Sequence, residues 1–385
     1  MRLHLCTVSG QILPNLIPAL MERPDRVILL ASASMQEAAF HLRRILKEYE
    51  VEAEIEGNAP DSGLERIYEF AMQVAEKIQA QYPGAEITVN VTGGTKLMSF
   101  GLIEYFRSDA QRLIYTDTAH QVIESLPDPR GHHPATQPMT DVLDVKQYLD
   151  AQQFRVTRIR SDQKAWQDSV NTRKSLCKKL GEQAAVLGDF IGILNKAGGQ
   201  ALDNRGENLL QPEQTLPMVP HGPWADMLME MDTRNLLAWK RGTPSVTFLD
   251  AENTRFLSGR WLEEYVWHIL KDNGAFDVRL GVEGNWLRGK GSKNELDVLA
   301  TKTNRLLYVE CKTLTHREEK DSDLAYKADS LGNDLRGIFG ETWLVTARPP
   351  TDNLLDRARQ SHFKVIGPQE LPALKEHVLA WVRGE

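Results

Sequence analysis

Short apolar runs alternate with longer stretches whose apolar positions recur every three or four residues along the N-terminal part of the chain. The runs His4–Val8, Arg26–Ala31, Val51–Ile55, Glu86–Val91 and Arg112–Thr116 read as strands. Between them Ile12–Met21, Met35–Tyr49, Leu64–Gln81 and Lys96–Phe106 read as helices. Buried-type strands separated by amphipathic helices predict an α/β domain, a parallel doubly wound sheet with helices on both faces. Sheets of this kind take their ligands beyond the carboxyl ends of the strands, at the topological switch point.

Two loops fall at that edge. Ser9-Gly10-Gln11 follows the first strand, and Thr92-Gly93-Gly94-Thr95-Lys96 lies between the strand Glu86–Val91 and the next helix. Paired glycines let backbone approach a ligand, N–H groups at a helix start attract an anion, and hydroxyls with a lysine add donors. The spacing is neither that of a Walker A loop nor G-x-G-x-x-G. From the residues alone, a tight turn that simply needs glycine is an equal reading.

A different pattern marks the C-terminal part. Leu296-Asp297-Val298-Leu299 is an apolar strand carrying an acid, and Tyr308-Val309-Glu310-Cys311-Lys312 is a second strand ending in Glu-x-Lys. The strand period of two puts Glu310 and Lys312 on one face. Two carboxylates with an ammonium suit a hard divalent cation beside a phosphate, the setting of phosphodiester cleavage. An exposed hairpin with ordinary surface charges is the plainer alternative. Upstream, Leu262, Tyr265, Val266 and Ile269 follow helical spacing, with Glu263 and Glu264 on the shoulders of that face. A helical stretch from about Asp323 to Ile338 and an apolar strand, Thr342–Thr346, complete the order.

Helix with Glu, strand with Asp, strand with Glu-x-Lys, helix and strand together resemble the PD-(D/E)XK nuclease superfamily. The resemblance makes Asp297, Glu310 and Lys312 catalytic, with Glu263 rather than Glu264 as the helical acid. Leu296 stands where the family often has proline. It also implies Mg²⁺ or Mn²⁺ held by Asp297, Glu310 and the carbonyl of Cys311, with Lys312 orienting or deprotonating the attacking water. The segment Asn90–Lys96 in turn resembles the signature loop of CRISPR-associated Rossmann fold (CARF) domains, over about residues 1 to 145. That resemblance assigns Ser9, Gly10, Gln11, Thr92, Gly93, Gly94, Thr95 and Lys96 to ligand binding. It implies a homodimer that binds a cyclic oligoadenylate, with cyclic tetraadenylate the first expectation. Both features in one chain resemble the CARF nucleases of type III CRISPR defence, in which the oligoadenylate switches on degradation of DNA or RNA. Two other functions stay open: a ligand-responsive DNA-binding regulator with a non-catalytic nuclease-like domain, and a constitutive repair or restriction nuclease.

The expected organisation is a CARF domain over 1–145, a mainly helical module over 146–250, and the nuclease domain over 251–385. The middle segment turns basic between Arg155 and Lys179 and ends in a small strand, Ser245–Leu249. It reads equally as a winged helix touching phosphates and as a solvated linker helix. Hydrophobic residues at 41% and charged residues at 26% fit a soluble globular protein, and the net charge of −7 confines any nucleic-acid contact to local patches. No apolar run is long enough to span a bilayer, and no signal peptide is evident. Cys6, Cys177 and Cys311 are odd in number and far apart, which fits a reducing cytoplasm and no zinc motif. Weaker candidates are His132 and His133 as metal ligands, His316 near the substrate, Trp261, Trp267 and Trp286 as stacking residues, and Tyr326 and Lys327 as polar groups of the later helix.

Overall fold

Each apolar run at the N-terminal end forms a strand, in a computed structural model that describes residues 1–127, 131–132, 134–287, 293–313, 335 and 340–385. The chain folds as two compact units, Met1–Phe154 and Arg155–Glu385. The first unit runs β1 (Arg2–Thr7), α1 (Leu13–Glu22), β2 (Arg26–Leu30), α2 (Gln36–Glu48), β3 (Ala53–Glu56), α3 (Leu64–Gln81), β4 (Glu86–Asn90), α4 (Lys96–Phe106), β5 (Arg112–Asp117), β6 (Val122–Ser125), β7 (Gln137–Pro138) and α5 (Val145–Ala151). Its sheet has the order β3-β2-β1-β4-β5-β6-β7. The first five strands in that order are parallel, and β6 and β7 are antiparallel. The order reverses between β1 and β4, so the loops after these two strands meet at the switch point.

Helical spacing explains how the sheet is covered. α3 buries Ile67, Ala71, Val74 and Ile78, one stripe at intervals of three and four residues. α2 does the same with Ala38, Leu42, Ile45 and Leu46. The α3 stripe joins Leu3, Leu5, Ile28, Leu30 and Val89 of the strands in one core.

The second unit begins one residue into β8 (Phe154–Ile159) and goes on through α6 (Lys164–Glu182), α7 (Ala184–Ala201), β9 (Glu213–Thr215), α8 (Pro223–Thr233), β10 (Leu237–Trp239) and β11 (Ser245–Phe248). It continues with α9 (Ala251–Arg255), a widened helical turn (Phe256–Arg260), α10 (Trp261–Asp272), β12 (Asp277–Trp286), β13 (Lys293–Lys302), β14 (Arg305–Lys312), β15 (Glu341–Thr346), α11 (Asp352–Gln360), β16 (Lys364–Ile366) and α12 (Leu374–Arg383). The main sheet is ordered β16-β15-β14-β13-β12-β8, antiparallel through β12, β13 and β14 and parallel from β14 to β16.

The middle segment is mainly helical and closes in a small antiparallel sheet, β10-β11-β9. It shares one continuous core with the C-terminal sheet: Leu187, Phe190 and Leu228 belong to the same buried cluster as Trp261, Val309, Trp343 and Trp381. Its basic run is largely taken up by carboxylates. Lys174 pairs with Asp272 at 2.6 Å and Lys178 with Glu182 at 3.7 Å, while Arg173 is buried against Glu264. Trp261 and Trp267 are buried packing residues, the latter donating its indole N–H to the Val278 carbonyl at 3.2 Å. All three cysteines are buried free thiols. Among the described residues no helix is long and apolar enough to cross a membrane.

Candidate functional sites

The register of the β13–β14 hairpin builds the first site. Val298 pairs with Val309, and one further step sets Asp297 opposite Glu310. Asp297 Oδ2 accepts the backbone N–H of Cys311 at 2.8 Å, which ties the acid to the neighbouring strand. Lys312 Nζ lies 2.6 Å from Glu310 Oε1, and the buried Tyr308 hydroxyl donates to Glu310 Oε2. Tyr308, Glu310 and Lys312 are alternate residues of one strand, so all three share a face. Glu310 is wholly buried there.

α10 packs over β12 and β13 and brings Glu263 to the same place. Its Oε2 accepts from Arg160 Nη1 at 2.8 Å. Glu264 turns away: Arg173 of α6 donates to both of its oxygens, with the Cys177 thiol 3.9 Å away. Adjacent helical residues point about 100° apart, so one acid meets the sheet and the other meets α6. Tyr308 and Arg160 are members of this group that the sequence did not single out. Tyr308 shares the face of Glu-x-Lys, a signal readable from the strand period; Arg160 carries no local signal.

The electrostatics follow from crowding acids in a dry place. Burial, then the charges of Glu310 and Glu263, hold Asp297 well above the ordinary carboxylate range. Burial also raises Glu263, opposed by Arg160 and Arg260. Burial disfavours the Lys312 ammonium, but Glu310 and Asp297 outweigh it and hold the group above its usual value. The charge that Glu310 and Glu263 press on Asp297 would be relieved by a cation, and the oxygen-rich donor set suits a hard one. Among the described residues, though, no three His, Cys, Asp or Glu side chains are placed to hold an ion unaided. An ion there needs backbone, water or substrate oxygens as well.

The second site lies at the switch point of the first unit. Val8, Ser9, Gly10, Gly94 and Thr95 line a small cleft of about 180 Å³, together with Ser32, Ser34, Met35, Asp61 and Met98. Thr95 caps α4, its hydroxyl accepting from Met98 N at 3.2 Å and donating to the Asp61 carbonyl at 3.0 Å. Such caps contribute roughly 1 kcal/mol. Gly93 is required because a Cβ would stand 2.1 Å from the Thr7 carbonyl oxygen. It lets the loop close on β1, while Gly94 takes a positive φ of 72°. Thr92 serves the fold: its hydroxyl donates to Asn90 Oδ1 at 2.6 Å and accepts from Thr116 N at 2.7 Å. Gln11 and Lys96 are exposed and do not line the cleft. Ser32, Ser34 and Asp61 were not anticipated, since they come from loops without glycine-rich signals.

His132 is exposed on its loop. His133, His316, Tyr326 and Lys327 lie outside the described residues, as does the stretch expected to be helical from Asp323 to Ile338 except for the buried Leu335.

Comparison with known proteins places both sites in context. Residues 3–148 match the family described as Card1 CARF domain, and residues 250–384 match that described as Card1-like, endonuclease domain. The fold is similar to that of protein VC1899 from Vibrio cholerae, at a TM-score of 0.85 and 22% identity over 100% of this chain and 98% of that one. It is also similar to Can2 from Sulfobacillus thermosulfidooxidans in complex with cyclic tetra-adenylate, at 0.77 and 24% identity over 99% and 97% of the two chains. A type III CRISPR defence DNA nuclease activated by cyclic oligoadenylate aligns at 0.52 and 17% identity, over 91% of this chain and 47% of that one. None of the curated proteins matches the chain.

Proposed function

We propose, for a chain that joins a Card1 CARF domain at 3–148 to a Card1-like endonuclease domain at 250–384, that it is a cyclic-oligoadenylate-activated nuclease of type III CRISPR defence. The observation that carries the reading is the convergence of Asp297, Glu310 and Lys312 at one end of the β13–β14 hairpin, with Glu263 arriving from α10. That grouping of residues supports the resemblance to the PD-(D/E)XK arrangement. A scaffold has no physical use for acids gathered so that Glu310 and Glu263 raise Asp297.

Asp297, Glu310 and the Cys311 carbonyl would hold Mg²⁺ or Mn²⁺, with Glu263 assisting directly or through water. A divalent cation there supplies Lewis-acid polarisation of the scissile phosphate. Lys312 would orient water and donate to the phosphoryl oxygens as charge develops. Tyr308 and Lys312 together fix the Glu310 carboxylate. The substrate class is nucleic acid.

The activator reading rests on the cleft at Ser9, Gly10, Gly94 and Thr95. Its volume of about 180 Å³ is below the roughly 300–1,000 Å³ of clefts that enclose a drug-sized ligand. A ring of four nucleotides therefore needs a second copy to complete its site. Leu64, Tyr68 and Met72 on α3 and Leu97 and Phe100 on α4 form an exposed apolar patch on the elements next to the loop, which suits a homodimer. The ligand activates by binding one arrangement of the dimer more tightly than another.

The test is a cleavage assay of the purified chain with Mn²⁺ or Mg²⁺ on single-stranded DNA, plasmid DNA and RNA, with and without cyclic tetraadenylate. Cleavage that depends on both metal and activator supports the whole reading. Cleavage independent of the activator removes the gating, and binding of the activator with no cleavage of any polymer removes the nuclease.

A further inference from the structure

Arg160 enters the acidic site through a notch made for it. It stands on the short turn between β8 and α6, more than a hundred residues before the acids it meets. The β12–β13 ladder pairs Leu280 with Val298 and Val282 with Leu296, which leaves Gly281 opposite Asp297. At Gly281 a Cβ would lie 2.8 Å from both Cβ and Nε of Arg160 and 2.9 Å from its Cζ, and φ there is +63°. A glycine inside a strand marks close approach of another group; here that group is the Arg160 side chain. Only 13% of that side chain is exposed. One Nη donates to Glu263 Oε2 at 2.8 Å and the other to Glu295 Oε1. The planar fork thus spans a residue of α10 and a residue of β13.

We infer that Arg160 is a positioning residue of the nuclease site: seated at Gly281, it holds the Glu263 carboxylate in the orientation from which Glu263 serves the metal and the phosphate. Its action runs through Glu263, so it leaves nucleic-acid affinity largely alone. The inference rests on the nuclease reading above, and the experiment separates the two.

The test is a double-mutant cycle in the full chain with Arg160→Ala, Glu263→Gln and the pair. Direct Mn²⁺ binding is read by electron paramagnetic resonance, and steady-state cleavage is read in parallel. Arg160→Ala should weaken Mn²⁺ binding and lower kcat at least about tenfold, the usual effect of removing a group that orients a metal-site residue. KM should stay within about twofold, and in the Glu263→Gln background the further loss should be no more than about twofold. Circular dichroism and the melting temperature report folding; if Arg160→Ala does not fold, Arg160→Gln serves in the same cycle. Equal losses in both backgrounds, no loss, or a rise in KM with kcat unchanged would each overturn the inference while leaving the nuclease intact. A wild-type chain that neither binds Mn²⁺ nor cuts any polymer would overturn the nuclease reading and this inference with it.

Discussion

Lys312 Nζ stands 2.6 Å from Oε1 of Glu310, two positions back on the same face of one strand. The pair is asymmetric: Glu310 is wholly buried, whereas the Lys312 side chain retains 31% exposure. The ammonium thus has an open side from which it would meet a phosphate oxygen of the proposed substrate, while Tyr308 holds the carboxylate.

Glu310→Gln keeps the shape and a partner for Tyr308 but removes the charge. Cleavage should fall by at least about a hundredfold, the order seen when one electrostatic group of a preorganised site is lost. Affinity for cyclic tetraadenylate should be unchanged, because the cleft proposed for it belongs to the other compact unit. Parallel cleavage assays and calorimetry check both halves; retained cleavage would remove the proposed metal site from this hairpin.

At the other site Lys96 stands exposed on the first turn of α4, beside the cleft rather than in it. With the proposed activator in the cleft, its contribution would be that of a screened surface charge near an anion. Lys96→Ala should weaken activator binding only about threefold to tenfold, roughly 0.7–1.4 kcal/mol, and more so at low salt. Gly93→Ala should abolish binding, since its Cβ would collide with the Thr7 carbonyl and force the loop off β1. Titration calorimetry at two salt concentrations separates the two effects.

The β–α alternation of the first unit was legible because buried parallel strands and amphipathic helices leave opposite signatures in sequence. Strand and helix limits moved by no more than a few residues; Leu64–Gln81 and Lys96–Phe106 were read as they stand. The Asp297 and Glu310-x-Lys312 pattern was legible for the same local reason. Arg160 was hidden inside a basic run, its meaning set by Gly281 and Glu263 far along the chain. No local pattern distinguishes Arg160, which reaches the acids, from Arg173, which is locked to Glu264. Nor could composition reveal that residues 155–250 share a core with the C-terminal sheet, because that depends on which helix faces meet.

The Arg173–Glu264 pair makes a prediction about stability. Both side chains are only 3% exposed, and the guanidinium also lies over the Phe256 ring, 4.5 Å from its centroid. Arg173→Met leaves a carboxylate buried without its partner, which costs about 3–5 kcal/mol. Arg173→Met combined with Glu264→Leu should recover most of that loss, since neither change then strands a charge. Urea unfolding of the three variants decides it; a single change costing under about 1 kcal/mol would mean that water reaches the pair.

His268, one turn beyond Glu264 on α10, sets an opposing pH dependence. Burial, with Lys174 and Lys271 adding, pushes its imidazole down from 6.5 to about 4, against the Val170 carbonyl 3.3 Å from Nε2 and the Asp272 charge. The folded protein therefore resists a proton that the unfolded chain accepts near 6.5. Stability from this group is complete above that value and is lost as pH falls toward 4. Glu264 runs the other way. Burial raises it from 4.5 to about 7 despite Arg173, so its contribution is complete below 4.5 and lost as pH rises through 7. The two slopes overlap in the wild type and largely cancel between them, so a flat profile there would not reveal either group. Single variants expose them: relative to wild type, His268→Gln should gain stability as pH falls from about 6.5 to 4, and Glu264→Gln should gain as pH rises from about 4.5 to 7. Denaturant unfolding across that range checks both signs. Parallel profiles for wild type and His268→Gln would show that this imidazole titrates freely and is not sealed beneath α6.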